Sequence, residues 1–153
     1  MNEKIGIKEM LGVAARLILG GVFVYSGWLK AMAPAEEFAY AIETYRVVPA
    51  VLTMFVAVTV PWLEIYLGVF LVTGVFTGYS AFCLGALLVG FEGLLLQAII
   101  RKLPVTSCGC FGASKSNSLS YEFVQNLALL ALAALAWKCG GKLSIDSKID
   151  SYD

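Results

Sequence analysis

Histidine is absent from all 153 residues, which removes in one stroke the commonest metal-ligating side chain and the only one whose ordinary titration falls near neutral pH. Charge is scarce as well: 14% of the residues are charged, against about 25% in an average soluble domain. Eleven basic residues balance eleven acidic ones, so the chain carries no basic footprint for nucleic acid, and that partner is set aside. Chemistry is left to thiols, carboxylates or a bound cofactor.

What fills the chain is apolar: 59% of it is hydrophobic. Leu52 to Ile100 contains two formally charged residues, Glu64 and Glu92, and no wettable stripe. A spanning helix needs about 20 largely apolar residues to cross roughly 30 Å of hydrocarbon, and the sequence has room for four. The first is expected over about Ile7 to Met32, the second over Pro49 to Val75 with a kink at Pro61, the third over Tyr79 to Ile100, and the fourth over Tyr121 to Trp137. Between the first two, Phe38, Ile42 and Tyr45 recur at helical spacing in a segment too polar to span, which reads as a short amphipathic helix at the interface. The expected fold is all-α: an integral membrane four-helix bundle in one domain, residues 1–138, followed by a polar tail, 139–153. The first span has a mixed-charge start and ends in an interfacial Trp28 and Lys30, so it reads as a retained span and not as a cleaved signal.

Four spans place both ends of the chain on one face and the polar segment Leu103 to Ser120 on the other. Basic residues divide evenly between the faces, with Lys4, Lys8, Lys138, Lys142 and Lys148 on one and Lys30, Arg46, Arg101, Lys102 and Lys115 on the other. The positive-inside rule therefore sets no orientation.

The polar segment holds Cys108-Gly109-Cys110. Two cysteines separated by glycine can close a small-ring disulfide or hold a soft metal between two thiolates. Glycine tolerates the backbone angles of such a ring, and a strained disulfide suits exchange better than bracing. The flanking lysines and arginine favour the thiolate. An incidental pair is the bland alternative.

Charges inside a bilayer cost at least about 2.5–3.5 kcal/mol each, so Arg16, Glu64 and Glu92 need partners or tasks. Counting 1.5 Å per residue from the terminal face puts Arg16 and Glu64 at similar depths, which reads as an ion pair fixing the first two spans, with a functional role in a polar cavity as the other reading. Glu92 and Asn126 fall beneath the cysteine segment, where a carboxyl could exchange the protons that accompany dithiol oxidation; bonding to Asn126 or Gln97 is the structural alternative. Lys30 reads as a snorkelling anchor, with a thiolate-stabilising role as the other option. Cys83 and Cys139 lie toward the opposite face and read as small apolar fillers, with a second redox pair as the other option.

Taken together, Arg16, Gly20, Phe23, Gly27 and Lys30, then Phe38, Ile42, Tyr45 and Pro49, then Pro61-Trp62-Leu63-Glu64 and Gly68, and lastly Cys108-Gly109-Cys110-Phe111-Gly112 resemble the MauE branch of the DoxX-like membrane proteins. That resemblance implies thiol–disulfide chemistry in the cell envelope, in the maturation of the disulfide-rich small subunit of methylamine dehydrogenase, with a thioredoxin-like partner. The plan is also similar to the vitamin K epoxide reductase family, which implies a quinone as electron acceptor. Those proteins use C-x-x-C and further loop cysteines, whereas this chain has C-x-C alone on that face, so a separate thiol partner would have to deliver electrons. The resulting expectation is a multi-pass protein of the cell (inner) membrane with Cys108 and Cys110 as redox residues, Glu92 beside them, the cysteine segment facing outward and the termini cytoplasmic. Two alternatives stand: an assembly factor that docks a partner through Gly74-x-x-x-Gly78 or Ala86-x-x-x-Gly90, and soft-metal handling by the paired thiolates with Cys83 downstream.

Overall fold

The computed structural model describes residues 6–102 and 119–140; Cys108, Gly109, Cys110 and residues 141–153 of the expected tail lie outside them. Five helices follow in order: α1 (Ile7–Met32), α2 (Ala35–Thr44), α3 (Ala50–Thr73), α4 (Thr77–Arg101) and α5 (Leu119–Cys139). Four of them, α1, α3, α4 and α5, are long and apolar enough to cross a membrane. No strand occurs among the described residues. The chain is thus an all-α, multi-pass membrane bundle with one short helix between its first two spans.

Each expected span is present, and its ends follow from local chemistry. Proline at 34 and at 49 occupies the N-cap of α2 and of α3, a place where the missing N–H costs nothing. Glu36 and Glu37 sit in the first turn of α2, where the helix dipole favours negative charge. Gly74 ends α3 with φ +80°, the left-handed conformation that closes many helices. α3 continues through Pro61.

Lipid gives helices no hydrophobic reason to associate, so close packing has to hold them. On α1 the buried residues are Gly12, Ala15, Arg16, Leu19, Gly20, Phe23, Ser26, Gly27 and Lys30, one stripe at three- and four-residue spacing. Its glycines bring α1 against α3: a Cβ on Gly20 would stand 2.8 Å from the Gly68 carbonyl oxygen, and one on Gly27 2.6 Å from the Pro61 carbonyl oxygen. The main core then joins Leu19 and Phe23 of α1 to Leu71 of α3, Leu84 and Leu88 of α4, and Ala133 and Ala136 of α5. Large apolar residues such as Trp28, Phe55, Tyr66, Phe82 and Val124 face outward, as lipid-contacting residues should.

The short helix has a more specific place than a helix resting on the surface. α2 buries Phe38, Ala39 and Ile42 against Val56, Ala57 and Val60 of α3 and Phe91 of α4. Beyond its end, Tyr45 packs on Leu95 and Ala98. Its outer face, with Glu36, Glu37, Tyr40 and Glu43, is exposed. α2 therefore runs alongside the first half of α3, continuing past the end of α1 in the direction of the α4–α5 segment.

Candidate functional site

Two of the expected polar residues, Lys30 and Glu64, meet in the middle of the bundle. Lys30 Nζ donates to Glu64 Oε1 at 2.6 Å and to Oε2 at 2.7 Å, and both side chains are 1% exposed. The Ser26 hydroxyl, one turn back on α1, donates to the same carboxylate. Two rings flank the ammonium: Phe38 of α2 at 5.2 Å and Phe91 of α4 at 5.5 Å from their centroids, within the range of cation–π attraction. Glu64 lies about 14 Å from the Thr73 end of α3 and about 21 Å from its Ala50 end, so this ion pair sits in the central part of the span.

Two sequence expectations are corrected here. Glu64 pairs with Lys30 and not with Arg16, and Lys30 is not a snorkelling anchor. Depth counting failed because α1 is staggered relative to α3. The Gly20–Gly68 and Gly27–Pro61 approaches set Arg16 level with Gly74 at the end of α3, and Ser26 level with Glu64. Lys30 turns inward because it lies on the buried stripe of α1, four residues after Ser26 and three after Gly27, and its Cα–Cβ bond tilts toward the helix N-terminus, back along the span and away from the interface. The sequence does carry that signal, in the position of Lys30 near the C-terminal end of its helix.

Arg16 instead joins helix ends at the terminal face. Its Nη1 donates to the Gly140 carbonyl at 3.3 Å, and its guanidinium lies so close over Gly74 that a Cβ there would stand 2.9 Å from Nη1. Gly74 is thereby covered, and Gly74-x-x-x-Gly78 is not one open docking face. Arg16→Met is expected to lower stability by about 1–2 kcal/mol through loss of a charged donor to a buried carbonyl. Thermal denaturation of the solubilised protein measures this, and a loss confined to salt-sensitive conditions would contradict a buried contact.

Glu92 and Asn126 face one another across the α4/α5 seam. Both carboxylate oxygens of Glu92 and the Nδ2 of Asn126 are shielded from solvent and stand outside full hydrogen-bond geometry. Asn126, 6% exposed, also lines a narrow internal cavity with Ser26, Lys30, Glu64, Phe23, Phe91 and Leu88. Gln97 does not reach Glu92; its Nε2 donates to the Tyr45 carbonyl at 3.2 Å and ties α4 to the end of α2. Sequence reasoning missed Ser26, Phe38 and Phe91 as parts of this site, since nothing in a linear pattern marks an aromatic ring as a partner for a lysine on another helix. Cys83 and Cys139 are both free thiols. Cys108 and Cys110, the residues expected to carry the chemistry, lie outside the described residues. The segment that holds them leaves α4 after Lys102 and enters α5 at Leu119, at the end of the bundle that α2 also approaches.

This arrangement of four spans and one short helix accompanies a family match over residues 8–138, nearly the whole bundle, to the family described as Methylamine utilisation protein MauE. The chain belongs to the MauE family. It is similar to the methylamine utilization protein MauE of Paracoccus denitrificans, at 31% identity over 83% of this chain and 68% of that relative. It is also similar to the MauE of Methylorubrum extorquens, at 34% identity over 67% of this chain and 56% of that relative, so it spans little more than half of the second protein's length. No solved structure matches the chain.

Proposed function

We propose that this MauE-family protein is a membrane thiol–disulfide redox component serving methylamine utilisation, as the names of its relatives state for them. The observation that carries the reading is the Cys108-Gly109-Cys110 string in the one long polar segment between spans. In the forward direction a thiolate of a thioredoxin-like envelope protein attacks the Cys108–Cys110 disulfide and forms a mixed disulfide. Its second thiol then releases the partner as a disulfide, leaving Cys108 and Cys110 as a dithiol with two electrons and two protons gained. Because disulfides persist outside the cytoplasm, the segment faces outward and the termini face the cytoplasm in this reading.

A quinone would supply a two-electron, two-proton acceptor to restore the disulfide. The internal cavity has water-sized space of about 20 Å³ and does not admit a quinone ring. The groove between α1 and α3 offers about 450 Å³, a volume in the range of small-molecule sites. Tyr25, Trp28, Val24, Val69 and Val72 line it with an almost wholly apolar surface, which would pack against the ring without supplying hydrogen bonds to its carbonyls.

Alkylation of intact membranes followed by mass spectrometry tests the proposal. The expected result is a Cys108–Cys110 disulfide that reducing agent converts to two modified thiols, and, in one of Cys108→Ser and Cys110→Ser, a mixed disulfide formed by attack of the remaining thiolate on the disulfide of an oxidised thioredoxin-like protein. Two permanently reduced thiols, or full function in the double serine variant, would refute it. The second outcome would favour the docking reading, for which the open positions Gly78 and Gly90, with nothing within 4 Å of an added Cβ, provide close-approach surfaces.

A further inference from the structure

The Lys30–Glu64 pair has two features that a purely structural ion pair does not need. The first is the internal cavity beside it. Its water-sized space of about 20 Å³ exceeds the roughly 10–15 Å³ that one water molecule requires, and Ser26, Glu64 and Asn126 give such a water polar partners on α1, α3 and α5. Asn126 Nδ2, shielded and outside full hydrogen-bond geometry, belongs to a side chain 6% exposed on the wall of that cavity. The amide group faces Glu92 with one hydrogen, which leaves its second hydrogen to the cavity; a buried amide hydrogen without a partner costs about 1–3 kcal/mol, and a water between it and the Glu64 carboxylate removes that cost. The second feature is the ring pair. Lys30 has Phe38 and Phe91 within cation–π range in addition to Glu64, so its charge keeps favourable partners when the carboxylate loses its own.

We propose that Glu64 exchanges protons through one water molecule positioned by Asn126 and Ser26, with the Phe38 and Phe91 rings holding the Lys30 charge while Glu64 is neutral. The charged groups around Glu64 are Lys30 on α1 and, on the far side of Asn126, Glu92 on α4; α2 contributes Phe38 and α5 contributes Asn126. Asn126 is a positioning residue. The step rests on the thiol–disulfide reading for its purpose: oxidation of the Cys108–Cys110 dithiol forms one S–S bond, breaks two S–H bonds and releases two electrons and two protons. The electrons leave on a two-electron acceptor of the quinone class together with two protons taken up inside the bilayer. Glu64, in the central part of the span, is the carboxylate placed to hand protons on at that depth.

Infrared spectroscopy of the full chain in liposomes tests this without a thiol partner. In the wild-type protein, brought to a pH low enough to protonate Glu64, a carboxyl band, assigned to Glu64 by its absence in Glu64→Gln, is expected to shift on transfer from H2O to D2O. The exchange is expected to be at least about tenfold slower in Asn126→Leu, which removes the water's anchor. If Glu64→Gln does not insert, Glu92→Gln and Glu122→Gln assign the remaining carboxyl bands by subtraction. Absence of any exchanging Glu64 band, or equal exchange in wild type and Asn126→Leu, overturns the proposal. The double Cys108→Ser, Cys110→Ser variant is expected to exchange normally. Oxidation of the thiols by decylubiquinone, followed by alkylation, then separates the two ideas: thiols that never cycle refute the redox reading and leave the exchange result standing, whereas thiols that cycle equally fast in Asn126→Leu refute the proton role.

Discussion

Glu64→Leu is expected to destabilise the bundle by about 3–5 kcal/mol, because it leaves the Lys30 ammonium buried without its counter-ion. The pair is 1% exposed on both sides, so neither charge can turn to water when the other is removed. Lys30→Met is expected to cost a similar amount, since Glu64 would retain only the Ser26 hydroxyl and the cavity. The double variant Lys30→Met, Glu64→Met should recover most of the loss, because replacing both members of a buried ion pair by apolar groups of similar volume is often neutral or stabilising. Equilibrium unfolding of the reconstituted protein in mixed detergent measures all three. If the double variant were as unstable as the worse single one, the stabilising element would be the shape of the site and not charge neutralisation. A stable double variant that no longer cycles its thiols as proposed would instead assign the pair to function, since stability and activity would then have parted.

The four spans were legible because a bilayer imposes length and apolarity on each of them separately. The expected Ile7 to Met32 and the observed α1 agree end to end, and α3, α4 and α5 depart from their expected limits by one or two residues at most ends. The short second helix was legible for the same kind of reason: Phe38, Ile42 and Tyr45 share one face of it, and all three are buried. Partner choice among buried charges was not legible. It depends on the axial stagger of two helices, and that stagger is set by close backbone approaches at Gly20, Gly27 and Gly68, which a hydrophobicity pattern does not order. Counting both helices from a common face treated their ends as level. The contacts of Arg16 with Gly74 and Gly140, in place of one with Glu64, are the direct result.

The same stagger makes α1 unusually sensitive to side-chain size on one face only, and two neighbouring stretches of it predict opposite outcomes. Gly27→Leu is expected to cost about 3 kcal/mol, the upper end for overpacking. Its Cβ would meet the Pro61 carbonyl oxygen at 2.6 Å, Ile65 Cγ1 at 2.8 Å and Glu64 Cβ at 3.1 Å; the first of these is backbone and cannot swing away. α1 would have to move off α3, which would also lengthen the Lys30–Glu64 contact built three residues further on. Gly21→Ala, with nothing within 4 Å of the added methyl, should stabilise the helix by about 0.5–1 kcal/mol, the ordinary gain of alanine over glycine. Unfolding of the two variants beside the wild type decides the matter. Equal and small effects at both positions would mean that α1 and α3 are not in close backbone contact, and the level assignment that pairs Lys30 with Glu64 would lose its basis. A large loss at 27 with a gain at 21 requires the glycine seam, because helix propensity alone would favour substitution at both.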